Sequence, residues 1–113
     1  MQEINIPSGT ALMIGAPAHP MDENISMTIG KLTDSIDGIL EAHLPQMFAV
    51  NVMEEPAQVL VIVLREHADI NRVTEQLGLG LTEILPKGLH LDVWPIPIGH
   101  LMLDDVRRTG CLI

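Results

Sequence analysis

Six consecutive aliphatic residues, Val59-Leu60-Val61-Ile62-Val63-Leu64, constrain the fold of this chain more than any other feature. A strand that is apolar on both faces must be covered on both, which places it in the middle of a sheet. The run is the longest apolar stretch in the sequence and far too short to span a bilayer.

The other elements arrange themselves around it. Ile4-Asn5-Ile6 is a short extended start, Pro7-Ser8-Gly9 a turn, and Ala11-Leu12-Met13-Ile14 a second run suited to a buried strand. Met21, Ile25, Ile29, Leu32 and Ile36 follow at steps of four, four, three and four, one stripe along a helix. Pro20 suits its first turn, Asp22 and Glu23 its positive end, and Asp37-Gly38 its stop. Ile39 to Val50 alternates, with Leu40, Ala42 and Leu44 opposite Glu41 and His43, and Pro45 calls for a bulge or an edge position. Asn51 to Pro56 reads as a hairpin loop.

Asp69 is a fitting N-cap for a second helix bearing Ile70, Val73, Leu77, Leu81 and Ile84. Gly78 and Gly80 weaken that helix by about 1 kcal/mol each relative to alanine, so a break is expected there. Leu89 to Pro95 alternates as a half-buried strand, His100 to Arg108 makes a short helix, and Cys111-Leu112-Ile113 is a candidate final strand. The expectation is therefore a single α+β domain over residues 1–113, a ferredoxin-like βαββαβ sandwich with a short C-terminal helix. In that topology Ala11–Ile14 and Val59–Leu64 are central, and the two alternating strands are edges.

Charge narrows the function. Fifteen acidic residues against six basic ones give a formal net charge of −9. Such a surface repels nucleic-acid phosphates and anionic membranes, so neither is expected as a partner, whereas a basic protein is. Cys111 is the only cysteine, and Met1-Gln2-Glu3-Ile4-Asn5 has neither a basic nor an apolar leader region, which points to a reducing cytoplasm.

No constellation for chemistry stands out. His19, His43, His67, His90 and His100 lack the spacings of a metal site, and His90-x-Asp92 is only a two-residue match. Ser8, Ser26 and Ser35 lie in a turn or a helix, with no nucleophile-elbow context. The glycines form no phosphate-binding or dinucleotide loop. No catalytic residue, metal or cofactor is expected.

Two surfaces remain. On the ferredoxin-like fold the loops gather His19, Asp22, Glu23, Glu54, Glu55 and Lys87 at one end, a negative rim able to steer a basic partner. The sheet face away from the two helices is covered by the tail helix, with Leu101, Met102, Leu103 and Val106, or is left open for a homodimer or a partner. Trp94, the sole tryptophan, either packs under the tail helix or serves as an exposed anchor for binding. The partner-binding candidates are thus Asp22, Glu23, Glu54, Glu55 and Trp94.

Ile6-Pro7-Ser8-Gly9, Gly15-Ala16-Pro17 with Pro20, the Val59–Leu64 run, Leu85-Pro86-Lys87-Gly88 and Leu91-Asp92-Val93-Trp94-Pro95 together resemble the C-terminal domain of the SseB, or enhanced serine sensitivity, family of bacterial proteins. The likeness extends over nearly the whole chain. The larger members carry a further N-terminal domain that these residues do not include, and the family brings no catalytic residues. The expected function is a non-enzymatic, acidic protein-binding module, in its sharper form an inhibitor or immunity protein that masks a basic toxin or enzyme. The alternative implied by the resemblance is a regulator of serine metabolism or sensitivity with a small-ligand pocket.

Overall fold

The Val59–Leu64 run lies at the centre of the sheet, as its two apolar faces demand. The structure is a computed structural model that describes residues 2–4, 6, 7 and 9–113. Its strands are β1 (Gln2–Glu3), β2 (Leu12–Gly15), β3 (Ile39–His43), β4 (Gln46–Ala49), β5 (Ala57–Leu64) and β6 (Asp92–Pro97), and its helices are α1 (Glu23–Asp34), α2 (Ile70–Ile84) and α3 (Leu103–Arg108). The sheet is mixed and runs β1-β6-β5-β4-β2, with β3 beside β4 on the same flank of β5. Every residue of β5 from Val59 to Leu64 is buried.

The two faces of β5 belong to two cores. Leu60, Ile62 and Leu64 face α1 and α2 and pack with Ile29, Ile36, Val73, Leu77 and Leu81. Val59, Val61 and Val63 face the other way, into Met47, Trp94, Ile96, Leu103 and Val106, with Ile4, Ile6, Leu12 and Ile14 at the margin. The tail helix α3 therefore covers the second face, helped by the N-terminal segment and β2. Among the described residues, that face is occupied rather than open.

The helices start where their caps stand. Asp22 accepts from Asn24 N at 2.9 Å and Ile25 N at 3.3 Å to open α1, and Asp69 accepts from Arg72 N at 3.2 Å to open α2. α1 ends at Asp34, before the last residue of its stripe, yet Ile36 still reaches the core. α2 runs unbroken through both glycines, because Gly80 faces α1. A Cβ built there would sit 2.5 Å from Leu32 Cδ1, so the Leu32 side chain packs directly over the glycine.

Pro45 divides the alternating strand into β3 and β4. A register shift between Ile39 and Glu41 turns Leu40 out to solvent, 53% exposed. The outer edge of β3 is closed by residues 111–113. Leu112 bridges His43, Leu44 N donates to the Cys111 carbonyl at 3.0 Å, and Ile113 N donates to Ala42 O at 2.9 Å.

The ferredoxin-like order does not hold. β5 and β6 pair directly in parallel, from Val59↔Asp92 to Leu64↔Pro97, and leave no place for β2 between them. β2 lies at the sheet edge, paired only with β4 among the described residues. Ala11 and Met13 are exposed, Met13 at 62%, and Leu12 and Ile14 are half-buried against the second core, so the run is covered on one side only. β6 is interior because its His90-Asp92 polarity ends at the strand's entrance. Beyond it Val93, Trp94 and Ile96 are all buried.

A shared carboxylate anchors α3. Arg107 Nε lies 3.0 Å from Glu41 Oε1 and its Nη2 bonds Glu41 Oε2, while His43 Nε2 sits 3.0 Å from the same Oε1. Arg107, with a smaller contribution from His43, holds the Glu41 carboxyl down at about 2, against an ordinary value of 4.5. A depressed carboxylate stabilises the fold above its unfolded value and loses that contribution as pH falls toward the folded one. Glu41→Gln should therefore cost about 1–2 kcal/mol at neutral pH after allowance for solvent screening. In urea melts the gap from wild type should close as pH falls from about 4.5 to 2; a gap that persists at the acid end would contradict the assignment. Gly80→Ala, in the same melts, should lower stability by about 1 kcal/mol, since overpacking against Leu32 outweighs the helix propensity gained.

Candidate functional site: an acid-lined cleft

The loop from β4 to β5 turns sharply at Asn51, whose backbone is left-handed at φ 65°. Val52 N and Met53 N both reach back to the Ala49 carbonyl, at 3.2 and 2.9 Å. Met53 then tucks against the second core, which fixes the loop and leaves Glu54 and Glu55 exposed. Across from this loop, β1 runs parallel to the start of β6, with Glu3 opposite Val93 and Ile4 N donating to the Val93 carbonyl at 2.8 Å. Asp92 opens β6 and His90 precedes it on the same face.

These three segments enclose a cleft of about 580 Å³ lined by Glu3, Ile4, Val52, Met53, Glu54, Glu55, Ala57, His90 and Asp92. Among the described residues, four carboxylates and no lysine or arginine line it. His90 Nε2 lies 2.6 Å from Asp92 Oδ1, which orients the imidazole against the half-buried carboxylate. Most of the protein's own cations are committed elsewhere: Arg65 and Arg72 share Asp37, Arg107 holds Glu41, and Arg108 holds Asp105. None of these four arginines is paired with a carboxylate of the cleft, and clustered carboxylates are the chemistry that suits a guanidinium or an ammonium. Among the described residues, the cleft's lining includes no hydroxyl or thiol side chain. Among the described residues, no group of three or more His, Cys, Asp or Glu is placed to hold a metal ion.

Of the acidic rim read from the sequence, Glu54 and Glu55 line this cleft, whereas Asp22 and Glu23 do not. The Asp22 carboxylate is engaged as the cap of α1 and Glu23 stands exposed in its first turn. His19 and Lys87 are exposed and lie outside the cleft lining. The residues that sequence reasoning missed are Glu3, because a two-residue strand has no readable period, and the role of His90-x-Asp92, whose same-face spacing was visible without its loop partner.

Trp94 is not a surface anchor. It is only 6% exposed, packs against Leu103 and Val106 of the second core, and meets the His100 ring edge-on with centroids 5.4 Å apart. Among the described residues, no helix is long and apolar enough to cross a membrane. No family model, curated protein or solved structure matches this chain.

Trp94→Ala should act through folding, with a loss of about 3–5 kcal/mol in denaturant melts. A variant as stable as wild type would mean that the indole is not part of the core.

Proposed function

We propose that the domain is a protein-binding module whose acid-lined cleft receives an arginine or lysine of a basic partner, in the manner of an inhibitor or immunity protein that masks a toxin or enzyme. The observation that carries this reading is the convergence of Glu3, Glu54, Glu55 and Asp92 on one open cavity whose described lining includes no lysine or arginine. The net charge of −9 supports it, because the field of the whole molecule draws a basic partner in before contact.

The test is stopped-flow association with a fluorescent oligo-arginine peptide. The association rate should fall as salt rises, since exposed charges are screened beyond about 8 Å at physiological ionic strength. Reversing Glu54 and Glu55 to lysine should slow association several-fold. Reversing Asp22 and Glu23, which lie outside the cleft, should change it less than about twofold. Equal effects from the two reversals would show general attraction to an acidic protein and sink the cleft as the site. Saturable calorimetric binding of free serine, abolished by the Glu54 and Glu55 reversal, would favour a metabolic regulator instead.

A further inference from the structure

The sheet ends at β2, and the chemistry of that edge is unlike the rest of the surface. Val50 N donates to the Ala11 carbonyl at 3.1 Å, and the antiparallel register pairs Leu12 with Ala49 and Met13 with Phe48. In such a ladder the N–H and C=O of alternate residues point to the same side. Ala11, Met13 and Gly15 therefore turn theirs toward β4, and Leu12 and Ile14 turn theirs outward. Natural edges are normally guarded by a lysine, a proline, a bulge or a covering segment. No charge or proline stands in Leu12–Gly15, and its pairing with β4 has no register shift.

The surroundings are apolar on both sides of the strand. On one face Met13, 62% exposed, borders a hollow of about 280 Å³ with Phe48 and Pro56. On the other, Leu101 in the turn before α3 is 94% exposed and shares a pocket with Leu12. From Ile4 to Met21 the chain carries no Asp, Glu, Lys or Arg, in a molecule whose net charge is −9. Two copies of so acidic a protein repel one another least where this segment meets itself.

We propose that β2 is a homodimer interface, in which the β2 edges of two copies pair antiparallel about a two-fold axis and join their sheets. The register follows from the free groups. Leu12 and Ile14 exchange hydrogen bonds with their counterparts when the axis passes through Met13, which matches Leu12 of each copy with Ile14 of the other. The two Met13 side chains then face each other, with Cβ atoms about 5 Å apart. This inference is independent of the acidic cleft, and salt separates the two. Screening weakens capture of a cation by the cleft but relieves repulsion between like-charged copies.

Sedimentation equilibrium tests it. The wild-type protein should show a monomer–dimer equilibrium that tightens as salt rises from about 0.05 to 0.5 M. Met13→Lys and Met13→Glu should each raise the dimer dissociation constant at least about tenfold, because like charges then stand directly opposed. Their melting curves should stay close to wild type, as Met13 is largely exposed. An equimolar mixture of the two variants should recover association as a heterodimer. A wild-type protein that stays monomeric at about millimolar concentration would overturn the proposal. So would single variants that dimerise like wild type, or a mixture that fails to associate.

Discussion

The double-sided burial of β5 is the constraint on which everything else depends. A strand with Leu60, Ile62 and Leu64 on one face and Val59, Val61 and Val63 on the other leaves no surface for water. Two independent layers must then form, and the chain assigns them unequally. The α1–α2 layer is built from two long amphipathic helices that cap themselves with Asp22 and Asp69. The opposite layer is assembled from smaller pieces: a six-residue helix, the N-terminal segment, and a short edge strand. That asymmetry explains why the candidate cleft and the open edge both border the second layer. Short pieces cannot tile a sheet face without leaving gaps between them.

Local structure was largely readable from the residues, and pairing was not. The stripes of α1 and α2, the caps, the interruption at Pro45 and the central place of Val59–Leu64 all follow from periodicity and turn chemistry. Strand order depends on a finer distinction. Ala11–Ile14 looks as apolar as a central strand, but Met13 tolerates exposure, and a one-sided run of four belongs at an edge. Leu89–Pro95 looks half-polar because His90 and Asp92 precede its buried portion. Averaged over the segment, the two strands exchange their apparent roles.

The site was half legible for a related reason. Glu54 and Glu55 announce themselves by their place in a hairpin loop, and His90 and Asp92 by their spacing. What joins them is β1, which brings Glu3 alongside through two residues of parallel pairing. A pairing so short leaves no pattern to read. Trp94 was ambiguous because it shares alternation with His90 and Asp92, and only the path of α3 decides that this side of the strand turns inward.

The position of Trp94 has a practical consequence. It is the single tryptophan of the chain, and it belongs wholly to the layer under α3, against Leu103 and Val106. Its fluorescence is therefore a built-in reporter of that layer. Amide exchange in α3 and the emission of Trp94 should change as one unit. The packing of the smaller layer can then be followed spectroscopically.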